Sequence, residues 1–249
     1  MEIRYFKEYS HSLGRDMEFK VYGSSGKPFL FIPCQAGRFF DFENFKMLDC
    51  WADWIEAGQA TVYAVDTIDA ETYANPWGDP RSRMELHERW IRHITEEMVP
   101  MIRHLSGERC GYDQRIVTFG ASLGAMHAAN LFFRRPDLFD GVLALSGLYD
   151  PGDFFPGYMD DLLYNNSPSI YLANMPWDHP YLSVYPQRSI QIVVGQGAWE
   201  DVLLDSTRRL DRVLREKGIP AQVDYWGYDV SHDWDWWFRQ VRHYVPRFL

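Results

Sequence analysis

The sequence has few cysteines, and those it has are badly placed to pair with one another. Cys34, Cys50 and Cys110 are odd in number, far apart in the chain and in no C-x-x-C arrangement. A disulfide framework and a zinc site built from cysteine pairs are therefore both disfavoured. A reducing compartment fits this cysteine usage best, so we expect a cytoplasmic protein.

Positive charge and long apolar runs are also scarce. The 249 residues carry 25 Lys and Arg against 35 Asp and Glu, which gives a formal net charge of -10. Nucleic acids and anionic membranes both bind basic surfaces, so we expect neither as a partner and expect a small molecule instead. No stretch approaches the roughly 18 apolar residues of a membrane span, and the first residues lack the apolar core of a signal peptide. Nothing in the sequence fixes the oligomeric state.

Metal ligands with a recognisable spacing are missing as well. None of the eight histidines belongs to an H-E-x-x-H motif. His87, Glu88 and His93 fall within one predicted surface helix, where they indicate a metal site only weakly. We therefore expect neither a metal nor another cofactor.

The chain does contain a regular alternation of strand-like and helix-like segments. This alternation predicts an α/β fold with a central, mostly parallel sheet flanked by helices on both faces. The segment Met17–Tyr22 alternates apolar and polar residues and predicts a solvated antiparallel edge. The other predicted strands are 28–33, 60–65, 114–119, 141–145, 189–194 and 222–226. The predicted helices are 45–57, 84–105, 123–134, 205–217 and 235–248.

Domain organisation follows from where glycine and proline lie. They are spread between the predicted segments and form no linker, and there is no internal repeat, so we expect residues 1–249 to form a single domain. Residues 149–185 break the alternation, because they are rich in aromatic residues, Pro, Asp and Asn. Ligands of open α/β folds bind at the carboxyl ends of the strands, so we expect this excursion to form a cap or one wall of a substrate pocket.

The most informative motif is GASLG at Gly120–Gly124, a G-x-S-x-G pattern between a predicted strand and a predicted helix. A strand that turns sharply into a helix presents the serine hydroxyl at the top of the sheet, beside a helix N-terminus. The glycines permit the close backbone approach that such a turn needs. Ser122 is therefore a candidate nucleophile, and the alternative is a packing turn in which Ser122 only caps the helix.

A serine nucleophile needs a general base and an acid that orients it, and in α/β hydrolases the order along the chain is serine, acid, histidine. His232 comes directly after the last predicted strand, whereas His179 lies too early and His243 lies inside the last helix. Glu200 and Asp201 follow the preceding strand. We prefer Glu200 as the acid and keep Asp201 as the alternative, because one of the two is expected to be a first-turn helix residue.

Catalysis by a serine nucleophile also needs backbone N–H donors for the developing oxyanion, commonly from the residue after the nucleophile and from a loop after an early strand. Leu123 supplies the first. The loop Cys34–Gly37 contains small residues, and its Gln35 N–H is our candidate for the second. The alternative for this loop is an ordinary turn, and we expect the Cys34 thiol to be buried and not nucleophilic.

Aromatic residues make up 16% of the chain, and many lie in the segments around the proposed site. Such a cluster can bind an apolar or aromatic acyl group or stack on a sugar. The alternative for each ring is a place in the core. Our candidates for the substrate pocket are Phe39, Trp77, Trp177, Trp199 and Trp234.

From about Asp16 to its end, the sequence resembles the putative-esterase family of α/β hydrolases. The segments that carry this resemblance include PCQAGRFFDFENF, FGASLGAMHAAN, FFRRPDLFDGVLALSGLYD, GQGAWED and GIPAQVDYWGYDVSHDWDWW. The family includes S-formylglutathione hydrolase, feruloyl esterases, enterochelin esterases and mycolyltransferases. The resemblance implies an α/β-hydrolase fold, a triad of Ser122, Glu200 and His232, and oxyanion donors at Leu123 and Gln35. Cys34 departs from the family, which often has a small residue at that position.

The expected activity is hydrolysis of a small-molecule carboxylic ester through an acyl-enzyme on Ser122, with water activated by His232. An acyltransferase would use the same triad with an alcohol or thiol as acceptor. A catalytically silent hydrolase fold that serves as a binding module is the third alternative, which an intact set of serine, acid and histidine disfavours. The sequence names neither the acyl group nor the alcohol.

Overall fold

The structure is a computed structural model that describes residues 1–111 and 114–249, with the backbone alone described at residues 109 and 110. Its strands are β1 (Ile3–Ser10), β2 (Arg15–Tyr22), β3 (Lys27–Ile32), β4 (Ala60–Val65), β5 (Ile116–Ala121), β6 (Phe139–Leu145), β7 (Ser189–Val194) and β8 (Gln222–Tyr225). They form an eight-stranded sheet in the order β1-β2-β4-β3-β5-β6-β7-β8. Strand β2 pairs antiparallel with β1 and β4, and the other pairs are parallel.

Helices cover both faces of this sheet. They are α1 (Asp41–Asn44), α2 (Met47–Glu56), α3 (Pro80–Arg92), α4 (Val99–Cys110), α5 (Leu123–Arg134), α6 (Asp161–Asn165), α7 (Pro168–Ala173), α8 (Asp201–Glu216) and α9 (Trp234–Tyr244). Helices α3, α4, α5, α7 and α8 pack in one core layer, and α2 and α9 pack in the other. Side chains alternate along a strand, so in β3 Leu30 and Ile32 enter the first layer while Phe29 and Phe31 enter the second. The predicted fold class, a mostly parallel sheet flanked on both faces, is confirmed.

The parallel strands end at the same edge of the sheet, which decides where functional residues gather. β5 lies between β3 and β6, and β7 and β8 follow in order. Ser122 directly follows β5, the loop Cys34–Gly37 follows β3, and Ser146 follows β6. The segments 195–200 and 226–233 follow β7 and β8. Five chain segments that are distant in sequence therefore meet at one end of the molecule.

The sequence analysis misses β1, and β2 is therefore not the edge strand that we expected. β1 pairs with β2 along its whole length, from Ile3 opposite Tyr22 to Ser10 opposite Arg15. Its apolar side chains stay largely in water, with Ile3 47% and Tyr5 51% exposed. A strand that buries so little lacks the apolar run by which the other strands are recognised.

Several helix boundaries differ from the predicted ones for local reasons. The helix predicted over 84–105 begins earlier, at Pro80, where the Asp79 side chain accepts a hydrogen bond from the Ser82 backbone N. A π-helical stretch, His93–Met98, separates α3 from α4 just before Pro100, which has no N–H to donate. Helix α8 begins at Asp201 instead of 205, and α9 ends at Tyr244 instead of continuing to 248.

The excursion at 149–185 contains more regular structure than its sequence predicts. It includes α6, α7 and a 3-10 turn at Pro180–Ser183, and Asp160 caps α6 by accepting a hydrogen bond from Leu163 N. Within the described ranges, no helix has both the length and the apolar character needed to cross a membrane. A single domain over residues 1–249 and a cytoplasmic location stay predictions.

Candidate active site

Ser122 occupies a strained corner between β5 and α5. Its backbone angles are φ 56 and ψ -128, which non-glycine residues rarely adopt. A Cβ on Gly120 would lie 2.4 Å from the Gly124 carbonyl oxygen, and one on Gly124 would lie 2.3 Å from Ile32 O. Because only glycine fits at both positions, the two glycines allow β5 to turn into α5 against the end of β3.

His232 lies beside the Ser122 hydroxyl. Its Nε2 atom is 3.0 Å from Ser122 Oγ, and its Nδ1 atom is 3.4 Å from Glu200 Oε2. The His232 backbone N donates to Ala198 O at 3.0 Å, which ties the loop after β8 to the loop after β7. The imidazole stands edge-on to Trp237, with ring centroids 4.9 Å apart. A base is thus placed against a hydroxyl, with a carboxylate on the far side of the base.

Of the two acids that the sequence left open, Glu200 is the one next to the histidine. Glu200 is fully buried, and its Oε1 atom accepts hydrogen bonds from Ser146 Oγ at 2.6 Å and Gly195 N at 3.4 Å. These donors compensate for the loss of hydration around the carboxylate. Asp201 is exposed and forms the first residue of α8, where a negative charge is favoured by the helix dipole.

Two residues of this site, Ser146 and Trp237, were missed from the sequence. Ser146 is fully buried, has φ 52 and donates to Glu200, and Trp237 Nε1 donates in turn to Ser146 Oγ at 3.3 Å. The signal that could have found Ser146 is its place directly after β6, beside the strand that carries Ser122. Trp237 has no such signal, because an aromatic residue early in a helix is commonly a core residue.

The loop Cys34–Gly37 is a tight turn whose Gln35 reaches the site. Gly37 N donates to Cys34 O at 2.8 Å, and Ala36 has a φ of 55. The Ala36 N–H is already engaged with Asp69 Oδ2 at 3.3 Å. Desolvation, with nearby negative charge on Asp41 and Asp69, raises the pKa of the Cys34 thiol to about 12, so the thiol stays protonated at neutral pH.

A cavity of about 250 Å³ adjoins these residues. Its lining includes Ser122, His232, Gln35, Leu123 and Trp199, together with Leu148, Asp153, Phe154, Val202 and Leu203. A second cavity, of about 520 Å³, shares Gln35, Asp153 and Phe154 with it and continues along Arg83, Tyr73 and Phe155. The expected pocket wall at 149–185 is therefore made by the first residues of that segment only.

The other pocket candidates lie elsewhere, and our expectation for them needs correction. Phe39 is 7% exposed and packs on Tyr5 and Phe40 at the base of its loop. Trp234 stacks on Phe45, with ring centroids 4.7 Å apart. Neither lines the two cavities, because nearness in sequence to a strand end does not fix the direction of a side chain.

Trp77 and Trp177 also lie outside both cavities. Trp77 is 93% exposed, although its neighbours Pro76 and Gly78 line the second cavity. Trp177 lies under Lys217 Nζ, 4.6 Å from the ring centroid. Lys217 follows the C-terminal end of α8, a 16-residue helix that begins at the site and spans about 24 Å. Trp177 is therefore at the far end of the sheet from Ser122.

The two histidines of the predicted surface helix contact different protein side chains. His87 stacks on His127 with ring centroids 5.1 Å apart, and His93 Nδ1 is 2.7 Å from Glu97 Oε2. Among residues 1–111 and 114–249, no three His, Cys, Asp or Glu side chains are grouped so that they could hold a metal ion.

Comparison with known proteins identifies a family and a fold for this chain. The sequence profile of a family described as putative esterase matches residues 10–248. A ferulic acid esterase is similar in structure, with 17% identity, a TM-score of 0.75, and coverage of 99% of this chain and 96% of that one. An S-formylglutathione hydrolase from Agrobacterium tumefaciens has 14% identity, a TM-score of 0.72, and coverage of 99% and 93%.

A third similar structure is the fluorophosphonate-binding serine hydrolase F of Staphylococcus aureus. It is 13% identical, with a TM-score of 0.64 and coverage of 99% of this chain and 97% of that one. No protein of the curated set matches the chain in sequence. At identities this low, the structural similarity establishes the fold alone. The α/β-hydrolase fold expected from the sequence is confirmed.

Proposed function

The chain belongs to the putative-esterase family and is a serine esterase, and we propose that Ser122, His232 and Glu200 carry out its ester hydrolysis as a triad through an acyl-enzyme. The observation that supports this proposal most directly is the pair of contacts made by one imidazole. His232 Nε2 lies 3.0 Å from the Ser122 hydroxyl, and its Nδ1 faces the buried Glu200.

Acylation begins when Ser122 Oγ attacks the ester carbonyl carbon and His232 Nε2 takes the hydroxyl proton. The carbonyl π electrons move to oxygen, and the resulting oxyanion accepts hydrogen bonds from the Leu123 and Gln35 backbone N–H groups. When the tetrahedral intermediate collapses, the bond to the alcohol oxygen breaks. The imidazolium then gives its proton to that oxygen, so the alcohol leaves neutral.

Deacylation repeats these steps with water in place of the serine. His232 takes a proton from water, the resulting hydroxide adds to the acyl carbon, and the same two N–H groups stabilise the second oxyanion. Collapse breaks the bond to Ser122 Oγ, which regains its proton from His232 as the acid departs. Throughout, Glu200 holds Nδ1 as the protonated nitrogen and stabilises the imidazolium without taking the proton itself.

The cavities bound the size of the substrate. About 250 Å³ beside Ser122 accommodates a small acyl or alcohol group, and the adjoining cavity of about 520 Å³ leaves room for a longer one. Apolar and aromatic side chains such as Leu148, Phe154 and Trp199 line much of this space. We therefore propose a small-molecule ester with at least one apolar portion as substrate.

The test is turnover of an ester panel by the parent protein and by Ser122→Ala. We expect Ser122→Ala to lower kcat by about 10,000- to 1,000,000-fold, and to abolish labelling by a fluorophosphonate. The matched control is Ser183→Ala, which removes an exposed serine whose hydroxyl only contacts Pro180 O. Full turnover by Ser122→Ala would refute the mechanism, and a parent that neither turns over esters nor accepts the label would favour a silent binding module.

An acyltransferase is the second candidate, because the adjoining cavity gives an acceptor alcohol access to the space beside Ser122. The acyl-enzyme would then pass its acyl group to that alcohol oxygen in place of water. Turnover in the presence of graded short and long alcohols, with the products separated by chromatography, distinguishes the two. Free acid as the only product at every alcohol concentration would exclude the transferase.

A further inference from the structure

A second buried histidine and carboxylate lie beneath the loop that carries Gln35. Asp69 is 2% exposed and follows β4 in a short 3-10 turn. Its two carboxylate oxygens have different partners: Oδ2 accepts from the Ala36 N–H at 3.3 Å, and Oδ1 is 2.9 Å from His127 Nε2. One side chain thus connects the Cys34–Gly37 loop to the helix that Ser122 begins.

The chemistry of this pair fixes which atom donates. An ionised carboxylate only accepts hydrogen bonds, so His127 Nε2 carries the hydrogen that it shares with Asp69. His127 is fully buried, and rings of Tyr73, His87 and Trp90 pack against it at centroid distances of 5.2, 5.1 and 5.2 Å. Water is therefore excluded from the pair, and the orientation of Asp69 is set by its two protein partners.

The position of the loop matters for oxyanion binding. Ala36 has a φ of 55, a conformation that an alanine does not favour, and its N–H points to Asp69. Gln35 is the preceding residue and lines the cavity beside Ser122. The Ala36 N–H belongs to the peptide bond that joins Gln35 to Ala36. Because Asp69 holds this peptide bond, it also constrains the orientation of the Gln35 backbone.

We propose that Asp69 and His127 are positioning residues that hold the Gln35 N–H in place for the oxyanion. Asp69 fixes the loop, and His127 fixes Asp69 relative to α5, so the distance between the donor and the Ser122 nucleophile stays constant through the reaction. This proposal rests on the proposed esterase mechanism. Donors that are fixed in advance stabilise the transition state more than the bound substrate, so their loss lowers kcat and leaves KM nearly unchanged.

The experiment compares Asp69→Asn with the parent on an ester that the parent hydrolyses. An asparagine side chain is nearly the same size, but its NH₂ group faces either the Ala36 N–H or the His127 N–H as a second donor. We expect kcat to fall by about 10- to 100-fold, below the full effect of a lost oxyanion donor, while KM changes less than threefold. Ser122 Oγ adds to the carbonyl carbon of an aryl trifluoromethyl ketone and forms a tetrahedral oxyanion. The affinity for this ketone should therefore fall by the same factor as kcat/KM.

Two variants of His127 provide a second test should Asp69→Asn fold poorly. His127→Gln places an amide NH₂ near the position of Nε2 and should retain most of the activity, whereas His127→Phe keeps a ring without a donor and should lose kcat as Asp69→Asn does. The control for stability is Thr118→Val, which removes a buried hydroxyl that donates to Ala128 O in α5 without touching the loop. We expect it to unfold at a lower temperature and to keep its kcat.

The outcomes separate the two proposals. If the parent hydrolyses esters and labels at Ser122, but Asp69→Asn and His127→Phe keep kcat and the ketone affinity, the positioning role is overturned. A rise in KM equal to the loss in kcat/KM would also overturn it, since the pair would then act on substrate binding alone. If the parent itself neither labels nor turns over, the esterase mechanism is what fails.

Discussion

One histidine and carboxylate pair lies at the start of α5 and another includes His127 within that helix, and the two pairs differ in what the second histidine nitrogen contacts. In one pair, His232 contacts Glu200 through Nδ1 and the Ser122 hydroxyl through Nε2. In the other, His127 contacts Asp69 through Nε2, and its Nδ1 atom is buried. An imidazole therefore meets a carboxylate in both pairs, and of these two only the His232–Glu200 pair has a nucleophile within reach. In the proposed mechanism, the pairing itself does not define a catalytic base, whereas access to Ser122 does.

The two pairs also lie on different kinds of element. The His232 side chain is 18% exposed and lies on the loop after β8, whereas His127 lies on a buried helix and is not exposed. A base that exchanges protons with substrate and water needs such access, and loops at the carboxyl ends of strands provide it. A residue that only holds another in place functions best where packing fixes it. On this view, His232 transfers protons and His127 maintains geometry.

The largest effect that would test this difference comes from His232→Ala. Without the base, Ser122 keeps its proton during attack, and we expect kcat to fall by about 100,000-fold, close to the loss for Ser122→Ala. Steady-state kinetics on the same ester measures this loss, and a thermal melt confirms folding. The control is His243→Ala, which removes a histidine near the end of α9. A loss of less than tenfold for His232→Ala would show that the base lies elsewhere.

The next effect separates the two acids after β7. Glu200→Gln keeps the shape but removes the charge that stabilises the imidazolium, so we expect kcat to fall by about 1,000- to 10,000-fold. Asp201→Asn should change kcat less than twofold, because Asp201 is exposed at the start of α8. Kinetics on the two variants side by side makes the comparison. The reverse order of effects would assign the acid to Asp201.

These pairs also show which parts of the site can be predicted from sequence. The proximity of Ser122 and His232 could be predicted because each follows a recognisable strand whose carboxyl end lies at the same edge of the sheet. The sequence leaves Asp201 as an alternative to Glu200, because side-chain direction at a helix start depends on packing that a single sequence does not record. Ser146 and the Asp69–His127 contact depend on segments 54 and 58 residues apart coming together.

The fold also has parts that the sequence predicts and parts that it does not. Strands buried on both faces, such as β3 to β7, have apolar runs that predict them, although the boundaries of some shift by two residues. β1 was missed because exposed pairing with a neighbour leaves no apolar run. The sequence predicts Trp177 at the pocket because it is an aromatic residue in a segment near the proposed site, whereas the length of α8 puts it at the other end of the sheet.

A smaller effect is the pH dependence of stability that comes from His87, which packs against the buried His127. Burial, followed by the charges of His127 and Arg134, lowers the pKa of His87 well below its ordinary value. The unfolded chain therefore binds a proton near pH 6.5 that the folded chain does not, so stability is lost as the pH falls below that value. Until the pH reaches the folded-state pKa, this group lowers the free energy of unfolding by about 1.4 kcal/mol per pH unit.

Chemical denaturation of His87→Phe between pH 7 and pH 4 measures this contribution. The variant keeps a ring against His127. We expect its free energy of unfolding to fall less steeply with falling pH than that of the parent, and the difference in slope should correspond to about one bound proton. His11→Phe serves as the control, since it removes an exposed histidine. Equal slopes for His87→Phe and the parent would mean that His87 is not held neutral by burial.

The smallest effect compares two tryptophans that chemistry alone cannot distinguish. Trp199 is 83% exposed and lines the cavity with Ser122, whereas Trp177 is 71% exposed and contacts Lys217 at the far end of α8. Removing a ring that covers part of a substrate loses about 1 kcal/mol of apolar contact, so we expect Trp199→Ala to raise KM about fivefold and to leave stability unchanged. Trp177→Ala should leave KM unchanged. If both variants raise KM equally, the cavity beside Ser122 is not where the ester binds, because a single small-molecule site cannot include both ends of a helix of about 24 Å.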